Sequence, residues 1–328
     1  MTARKILVTG GAGYIGSHTV RLLLQQGHDV TVVDNLSKGY RHNVPHGRLH
    51  EISLSDTAAL TGLMKAKQCD AVIHFAAFIS VGESMREPAR YFINNVAGSL
   101  SLLDAMVRAG VKHIVFSSTA AVYGNPHTSP ILETFPIQAV NAYGESKVMV
   151  ETLLRWFDQI HRLTSVCLRY FNASGADPEA ALGEEHEPET HLVPLVLRAV
   201  QTGKPITVFG DDYATPDGTC IRDYIHVYDL AQAHILAVEY LLNGGPSDQF
   251  NVGTGAGSSV LEMIRTVEEV TGRKVPYVVG PRREGDPPRL VASSQKLRDR
   301  LGWSPQYADL RTIVAHAWNF ANRVAKNS

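Results

Sequence analysis

An α/β chain built on a doubly wound parallel sheet is what this sequence predicts, and three observations carry the expectation. Short apolar runs alternate with helical stretches through the first half. A glycine cluster, Gly10-Gly11-Ala12-Gly13-Tyr14-Ile15-Gly16, separates the first run from the first helical stretch. A carboxylate, Asp34, closes the second run. After about Phe171 the alternation loosens, so a second, smaller mixed α/β lobe is expected within the 328 residues.

Strands are expected at Lys5–Val8, Asp29–Val33, Ala71–Phe75, Lys112–Ser117 and Ser165–Arg169. Each is a near-continuous Val/Ile/Leu/Phe run, as befits strands covered on both faces. Helices are expected at Tyr14–Gln26, Thr57–Lys67, Ala89–Ala109 and Tyr143–His161. Right-handed crossovers between parallel strands follow from that order. Further on, Gly175–His191 has the Pro, Gly and acidic content of an irregular loop. Beyond it come a helix at Leu192–Thr202, a strand at Ile206–Phe209 and a loop through Asp211–Gly218. Helices at Asp229–Leu242, Leu261–Thr271 and Leu310–Val324 and a strand at Phe250–Val252 complete the chain. The expected division is a dinucleotide-binding domain over 1–171, joined by about 222–251, and a second lobe made of 172–221 and 252–328.

Composition narrows the function classes. A net charge of −1 offers no electrostatic argument for nucleic acid or an anionic membrane. Cys69, Cys167 and Cys220 are scattered and odd in number, which points away from a disulfide framework and toward a reducing, cytoplasmic setting. Ile6-Leu7-Val8 after Arg4 and Lys5 is too short for a secretory core, and no apolar stretch has spanning length.

The glycine cluster follows a strand and opens a helix, the context in which GxxGxxG means a bound dinucleotide. Gly10 allows the tight turn, Gly13 a close approach of backbone to pyrophosphate, and Gly16 close packing of helix on strand. The pyrophosphate then lies at a helix N-terminus. Asp34, 18 residues beyond Gly16, can accept from both ribose hydroxyls and would repel a 2′-phosphate, so NAD is expected over NADP. Lys38 and Arg41 argue the other way, but suit a solvated turn face.

Tyr143 and Lys147 lie four apart on a helix and so share a face. A free tyrosine, with a pKa of about 10, is a poor base near neutrality. A neighbouring ammonium stabilises the phenolate and makes the tyrosine usable as one. Thr119, at the end of the fourth strand, offers a hydroxyl to the same substrate oxygen. The three together predict an enzyme that oxidises a hydroxyl, at least transiently.

These residues stand in segments that resemble the extended short-chain dehydrogenase/reductase family, and within it the UDP-hexose 4-epimerases. The segments are TGGAGYIGSH, VDNLS, FAAFISVGES, NNVAGS, FSSTAAVYG, NAYGESK, RYFNASGA, VFGDDYATPDGTCIRDYIHVYDLA and RREGDPP, running from Thr9 to Pro288. The resemblance implies a Rossmann-type fold, tightly bound NAD and reversible 4-epimerisation of UDP-galactose and UDP-glucose through a 4-keto sugar. It implies that Asn35, Ser37, Ser53 and Leu54 join Asp34, Tyr14 and Ile15 around the cofactor, with Phe75, Ala76, Ala77, Asn94, Ser117 and Tyr170 completing the contact. On the substrate side it implies Asn172, Arg222, Arg283 and Asp286 for the uridine diphosphate, with His191, Leu192 and Tyr224 nearby. Paired arginines suit a pyrophosphate as charge-assisted forks. It also implies a homodimer.

Departures from the family pattern matter. Ser53 replaces an Asp that reaches the adenine, Ile79 stands where some members have Lys, and His191 where others have Asn. Ala120 and Ala121 replace the Asp-Glu of the 4,6-dehydratases, so elimination of water is not expected. Leu290 occupies the position that limits room around the sugar C2, and its intermediate size implies partial acceptance of UDP-N-acetylgalactosamine. A UDP-pentose or UDP-glucuronate 4-epimerase is an alternative, as is a non-catalytic NAD-binding sensor. Sensors typically lose the Tyr-Lys pair that this chain keeps. Glu184-Glu185-His186-Glu187, with Glu189 and His191, matches neither HExxH nor an EF-hand, so no metal is expected and the segment is assigned to a loop over the substrate.

Overall fold

A computed structural model describes residues 3–126, 128–283 and 286–327. Glu284 and Gly285 of the RREGDPP segment lie outside the described residues. In chain order the first half comprises β1 (Lys5–Thr9), α1 (Tyr14–Gln25), β2 (Asp29–Asp34), β3 (Leu49–Glu51), α2 (Thr57–Lys67) and β4 (Ala71–His74). Two short helices, α3 (Val81–Ser84) and α4 (Pro88–Tyr91), lead through a π-helical turn, Phe92–Ala97, into α5 (Gly98–Ala109). Then come β5 (His113–Ser117), a 3₁₀ turn at Ala120–Tyr123, α6 (Ala142–His161) and β6 (Thr164–Tyr170). The single helix expected over Ala89–Ala109 is therefore interrupted by a wider turn, at the segment that carries Asn94.

Seven parallel strands form the main sheet in the order β3-β2-β1-β4-β5-β6-β11, where β11 is Asp248–Val252. The chain reverses direction of travel between β1 and β4, which opens a crevice at their carboxyl ends. Alternation along β1 shows how both faces are filled. Ile6 and Val8 enter a buried cluster with Val20 and Leu23 of α1 and Leu230 and Ile235 of the later helix Val227–Leu242. Leu7 points the other way, to Leu60, Leu102 and Leu154 of α2, α5 and α6. Every residue of Ile6–Thr9 is buried, which explains why the run carries no polar alternation.

The second half has β7 (Asn172–Ser174), α7 (Leu192–Thr202), β8 (Ile206–Phe209), β9 (Ile221–Arg222), β10 (Tyr224–His226) and α8 (Val227–Leu242). After β11 follow β12 (Ser258–Ser259), α9 (Val260–Thr271), β13 (Tyr277–Gly280), β14 (Arg289–Leu290), α10 (Gln295–Leu301) and α11 (Leu310–Asn327). Its strands make three small sheets, β10-β7, β12-β9-β14 and β13-β8. A separate core joins Val196 and Val200 of α7 to Met263 and Val267 of α9 and Ile313 and Val314 of α11. α8 and β11 return to the main sheet, α8 lying over α1 and over β4 to β6. Among the described residues no helix is long and apolar enough to cross a membrane.

Candidate active site

The glycine turn is built so that side chains cannot enter it. Gly10 has φ +71, and a Cβ there would come within 2.5 Å of Ala76 N, so its absence lets β4's end, with Phe75 and Ala76, close on the turn. A Cβ on Gly16 would meet Gly10 O at 2.2 Å, which is the close helix-on-strand contact anticipated for that position. Gly13 is the N-cap of α1 and supplies no side-chain cap, so the first amides of the helix point outward with their dipole. That free helix end beside a Cβ-free turn fits an anionic pyrophosphate. Asp34 ends β2 with Oδ2 accepting from Ala12 N at 3.0 Å and Oδ1 from Leu36 N at 2.9 Å. Burial raises its pKa against those hydrogen bonds, and each oxygen retains a lone pair for a hydroxyl donor. Ile15 packs into the core below the turn, and the Tyr14 hydroxyl donates to Gly175 O at 2.7 Å.

Other residues assigned to the cofactor spread along the same edge. Asn35 Oδ1 accepts from Ser37 N in the loop after Asp34. Ser53 is exposed and bonds Ser55, while Leu54 packs against the core near Gly98. Asn94 donates to Asn95 Oδ1 in the π-helical turn, and the hydroxyls of Ser117 and Tyr170 bond each other across β5 and β6. Ala77 follows Ala76, only partly buried. Lys38 and Arg41 are both engaged, Lys38 Nζ with Glu187 O at 3.1 Å and Arg41 with Glu51.

α6 carries the Tyr143–Lys147 pair. Asn141 caps it by accepting from Gly144 N at 2.8 Å, and Tyr143 N donates to Ser84 Oγ at 3.1 Å, which fixes the first turn. Gly144 matters here: a Cβ would stand 2.9 Å from Ala121 O, so its absence lets the helix end approach the turn that follows Thr119. Lys147 is buried, donates from Nζ to Ser117 O at 2.8 Å and lies 4.8 Å from the Phe116 ring centre. Burial pushes its pKa down to about 7, with Glu151 pulling back. Burial also raises the pKa of Tyr143, and the Thr119 hydroxyl opposes the rise. The free chain therefore holds a protonated phenol, contrary to the simple expectation that Lys147 alone lowers it. The lysine sits 5.9 Å from the centre of the Tyr143 ring, and burial, by lowering its pKa to about 7, leaves it only partly charged near neutrality.

On the opposite side, Asn172 pairs in register with Tyr224, and Leu290 with Arg222. Arg222 is joined to Asp286, and Arg283 lies over the Phe209 ring at 4.1 Å. Leu290 also packs against the Ala120–Tyr123 turn, so one residue touches both halves. Tyr224 is instead buried in the second core, and Leu192 begins α7 against that same core. His191 precedes α7 with its ring among carboxylates, 2.6 Å from Glu184 and 3.3 Å from Glu189.

Two groups without an assigned role prove central to this geometry. Asp223, between Arg222 and Tyr224, is fully buried and accepts from Thr254 N and Oγ1, Gly255 N and Ala292 N. Its carbonyl accepts from Asn172 N and Nδ2. Glu151, one turn beyond Lys147, accepts from Ser118 Oγ at 2.6 Å and from Arg169, which also donates to Tyr123 OH at 2.9 Å. Glu151 was findable from the Lys147 +4 spacing. Asp223 was not, because its partners lie about 30 and 70 residues away.

Comparison with known proteins agrees with this arrangement. Residues 6–253 match the model of the NAD dependent epimerase/dehydratase family. A UDP-glucose 4-epimerase of Lacticaseibacillus casei is 50% identical over 317 residues, covering 96% of each chain. The crystal structure of a UDP-glucose 4-epimerase from Brucella ovis in complex with NAD has a TM-score of 0.95 at 46% identity, covering 97% of this chain and 98% of that one. Another, from Stenotrophomonas maltophila with bound NAD and formylated UDP-arabinopyranose, has a TM-score of 0.96 at 40% identity, covering 99% and 100%. With its glycine turn, its Tyr-Lys pair and these relatives, the chain belongs to the NAD dependent epimerase/dehydratase family.

Proposed function

We propose that this chain interconverts UDP-galactose and UDP-glucose by inverting C4 of the hexose through a transient 4-keto sugar, with NAD retained through the cycle. The observation that carries the reading is the convergence of Tyr143, Lys147 and Thr119 on the strand end beside the glycine turn. A C4–H bond is not acidic, so inversion by direct deprotonation is not open to a tyrosine. NAD bound along the glycine turn supplies a hydride acceptor and donor. Tyr143 takes the proton of the 4-hydroxyl and returns it after the sugar has presented its other face, while Thr119 holds the same oxygen. Lys147, fixed on Ser117 O, would offer the partial positive charge it keeps near neutrality to the phenolate, and a donor to the nicotinamide ribose.

In this reading residues 1–171 with about 222–251 hold NAD, and 172–221 with 252–328 hold the UDP-sugar. Asn172, Arg222, Arg283 and Asp286 grip the uridine diphosphate, and the sugar is left loosely held so that it can turn. Leu290, wedged between Arg222 and the Ala120–Tyr123 turn, sets the room at C2, and partial turnover of UDP-N-acetylgalactosamine is expected. A UDP-pentose is the second reading, favoured by the 40% identical relative solved with formylated UDP-arabinopyranose. A homodimer is supported by apolar side chains left outward on the π turn, α5 and α6: Ile93, Leu100, Met149, Trp156 and Ile160. Met149, Trp156 and Ile160 share one helical face. A cytoplasmic setting accords with three free thiols.

The test is incubation of purified protein with UDP-galactose and no added NAD, with UDP-glucose quantified by anion-exchange chromatography. Conversion is expected. Absence of conversion, with and without added NAD, would move the assignment to a pentose or uronate substrate.

A further inference from the structure

We infer that Glu184, His186, Glu189 and His191 form a binding site for a divalent transition-metal cation, zinc by preference, between the 175–191 segment and the start of α7. The sequence spacing matches no familiar pattern, yet the fold brings one ligand atom from each residue to within 4.8 Å of all the others. Both imidazoles turn Nδ1 inward. His186 Nδ1 is 3.2 Å from Glu184 Oε1 and 3.8 Å from Glu189 Oε2. His191 Nδ1 is 2.6 Å from Glu184 Oε1 and 3.3 Å from Glu189 Oε1. Ligands at roughly 2.0–2.2 Å from a tetrahedral zinc stand about 3.3–3.6 Å apart, so the 3.2 and 3.3 Å spacings match such a shell and small side-chain adjustments bring the 2.6 and 3.8 Å ones into it.

A second observation separates this cluster from an ordinary acidic patch. The His191 ring is partly exposed, but its Nδ1 atom is covered and close to a carboxylate oxygen without making a directed hydrogen bond to it. The carboxylates are nearly buried as well, with side chains 6% and 9% exposed, and among the described residues their ion pairs come only from these two histidines. Two buried carboxylates facing two imidazoles present charge and softness suited to zinc, which takes nitrogen and oxygen ligands together. Backbone contacts hold one carboxylate in place: Glu189 Oε1 accepts from Thr190 N and His191 N, while Oε2 faces His186.

The location gives such a site a consequence. Its segment reaches the cofactor half at several points, through the Tyr14 hydroxyl to Gly175 O, Arg21 to Asp177 and Glu179, and Lys38 Nζ to Glu187 O. His186 lies edge-on to Tyr14, the residue after Gly13, at 6.2 Å between ring centres. A cation here clamps the segment that straps the second lobe onto the glycine-turn helix.

The full-length protein, stripped with chelator and dialysed, is titrated with Co²⁺ and then Zn²⁺. One equivalent of cobalt showing the visible absorption of a four-coordinate ion, displaced by zinc, is expected. Tyr143→Phe should keep that signal, and the double substitution Glu184→Gln with His186→Asn should lose it. Because the double variant can fail to fold, zinc retained by the wild-type chain through gel filtration is measured independently, with one per chain expected. No retained zinc, or a cobalt signal undiminished in a folded double variant, would overturn the proposal. A cluster neutralised by protonated histidines alone gives that first outcome.

Discussion

The two sides of the candidate site are fixed by different physical means. In the cofactor half, Gly10, Asp34 and Ser117 stand at the ends of β1, β2 and β5, strands whose ladders and two-sided burial fix the backbone. On the proposed substrate side of the cleft, Arg222, Tyr224 and Leu290 stand on strands of two or three residues, too short to fix anything alone. There one buried carboxylate, Asp223, ties β9 to the Thr254–Gly255 turn and to Ala292. Rigidity comes from sheet on one side of the cleft and from side-chain hydrogen bonds on the other. That difference suits a cofactor retained for many turnovers and a sugar that must rotate between two of them.

The sharpest challenge to this picture acts where the halves meet. Tyr143→Phe removes the proton carrier and its hydrogen bond with Thr119, so turnover should fall by roughly 10²–10⁴-fold or more while NAD and UDP both remain bound. Steady-state rates and the absorbance of co-purified NAD check it, and a variant with near-normal turnover would remove the tyrosine from its role.

A crossed pair of substitutions tests whether the halves are separable. Gly16→Ala places a methyl group where only 2.2 Å separates it from Gly10 O, so the turn must shift and NAD should be lost on gel filtration with UDP binding kept. Asp223→Asn puts an amide where amide donors already point and forfeits at least one charged acceptor. It should cost about 3 kcal/mol in the second half and weaken UDP binding before NAD retention. Calorimetric titration with UDP on both variants decides, and equal loss of both ligands in each would deny the comparison.

The smallest expected effect concerns pH. Lys147 has its pKa lowered from 10.5 to about 7 by burial, so folding favours the neutral amine. That penalty is complete below pH 7 and fades as pH rises toward the unfolded value. Relative to Lys147→Met, the cofactor-free wild type should therefore gain about 2 kcal/mol of stability between pH 7 and pH 9, followed by urea unfolding. A flat difference would show that the ammonium is better solvated than its burial implies.

The same contrast explains what the sequence could and could not disclose. Lys5–Val8, Thr57–Lys67 and Leu192–Thr202 were legible because each satisfies its own periodicity and burial locally. β3, β9, β12, β13 and β14 were not, since Leu49–Glu51 or Ser258–Ser259 become strands only through partners supplied from elsewhere. Gly10, Asp34, Tyr143 and Lys147 announced themselves by spacing along one element. Asp223, and the four donors from Glu184 to His191, acquire meaning only when an irregular segment folds back on itself.

The most direct test of the central claim uses UDP-galactose carrying deuterium at C4. Oxidation and return of the same hydrogen predict UDP-glucose with the label still at C4 and none released to water, even in protein given no added NAD. Label lost to solvent in step with product formation would contradict the account, since it would mean that C4 is inverted by proton exchange.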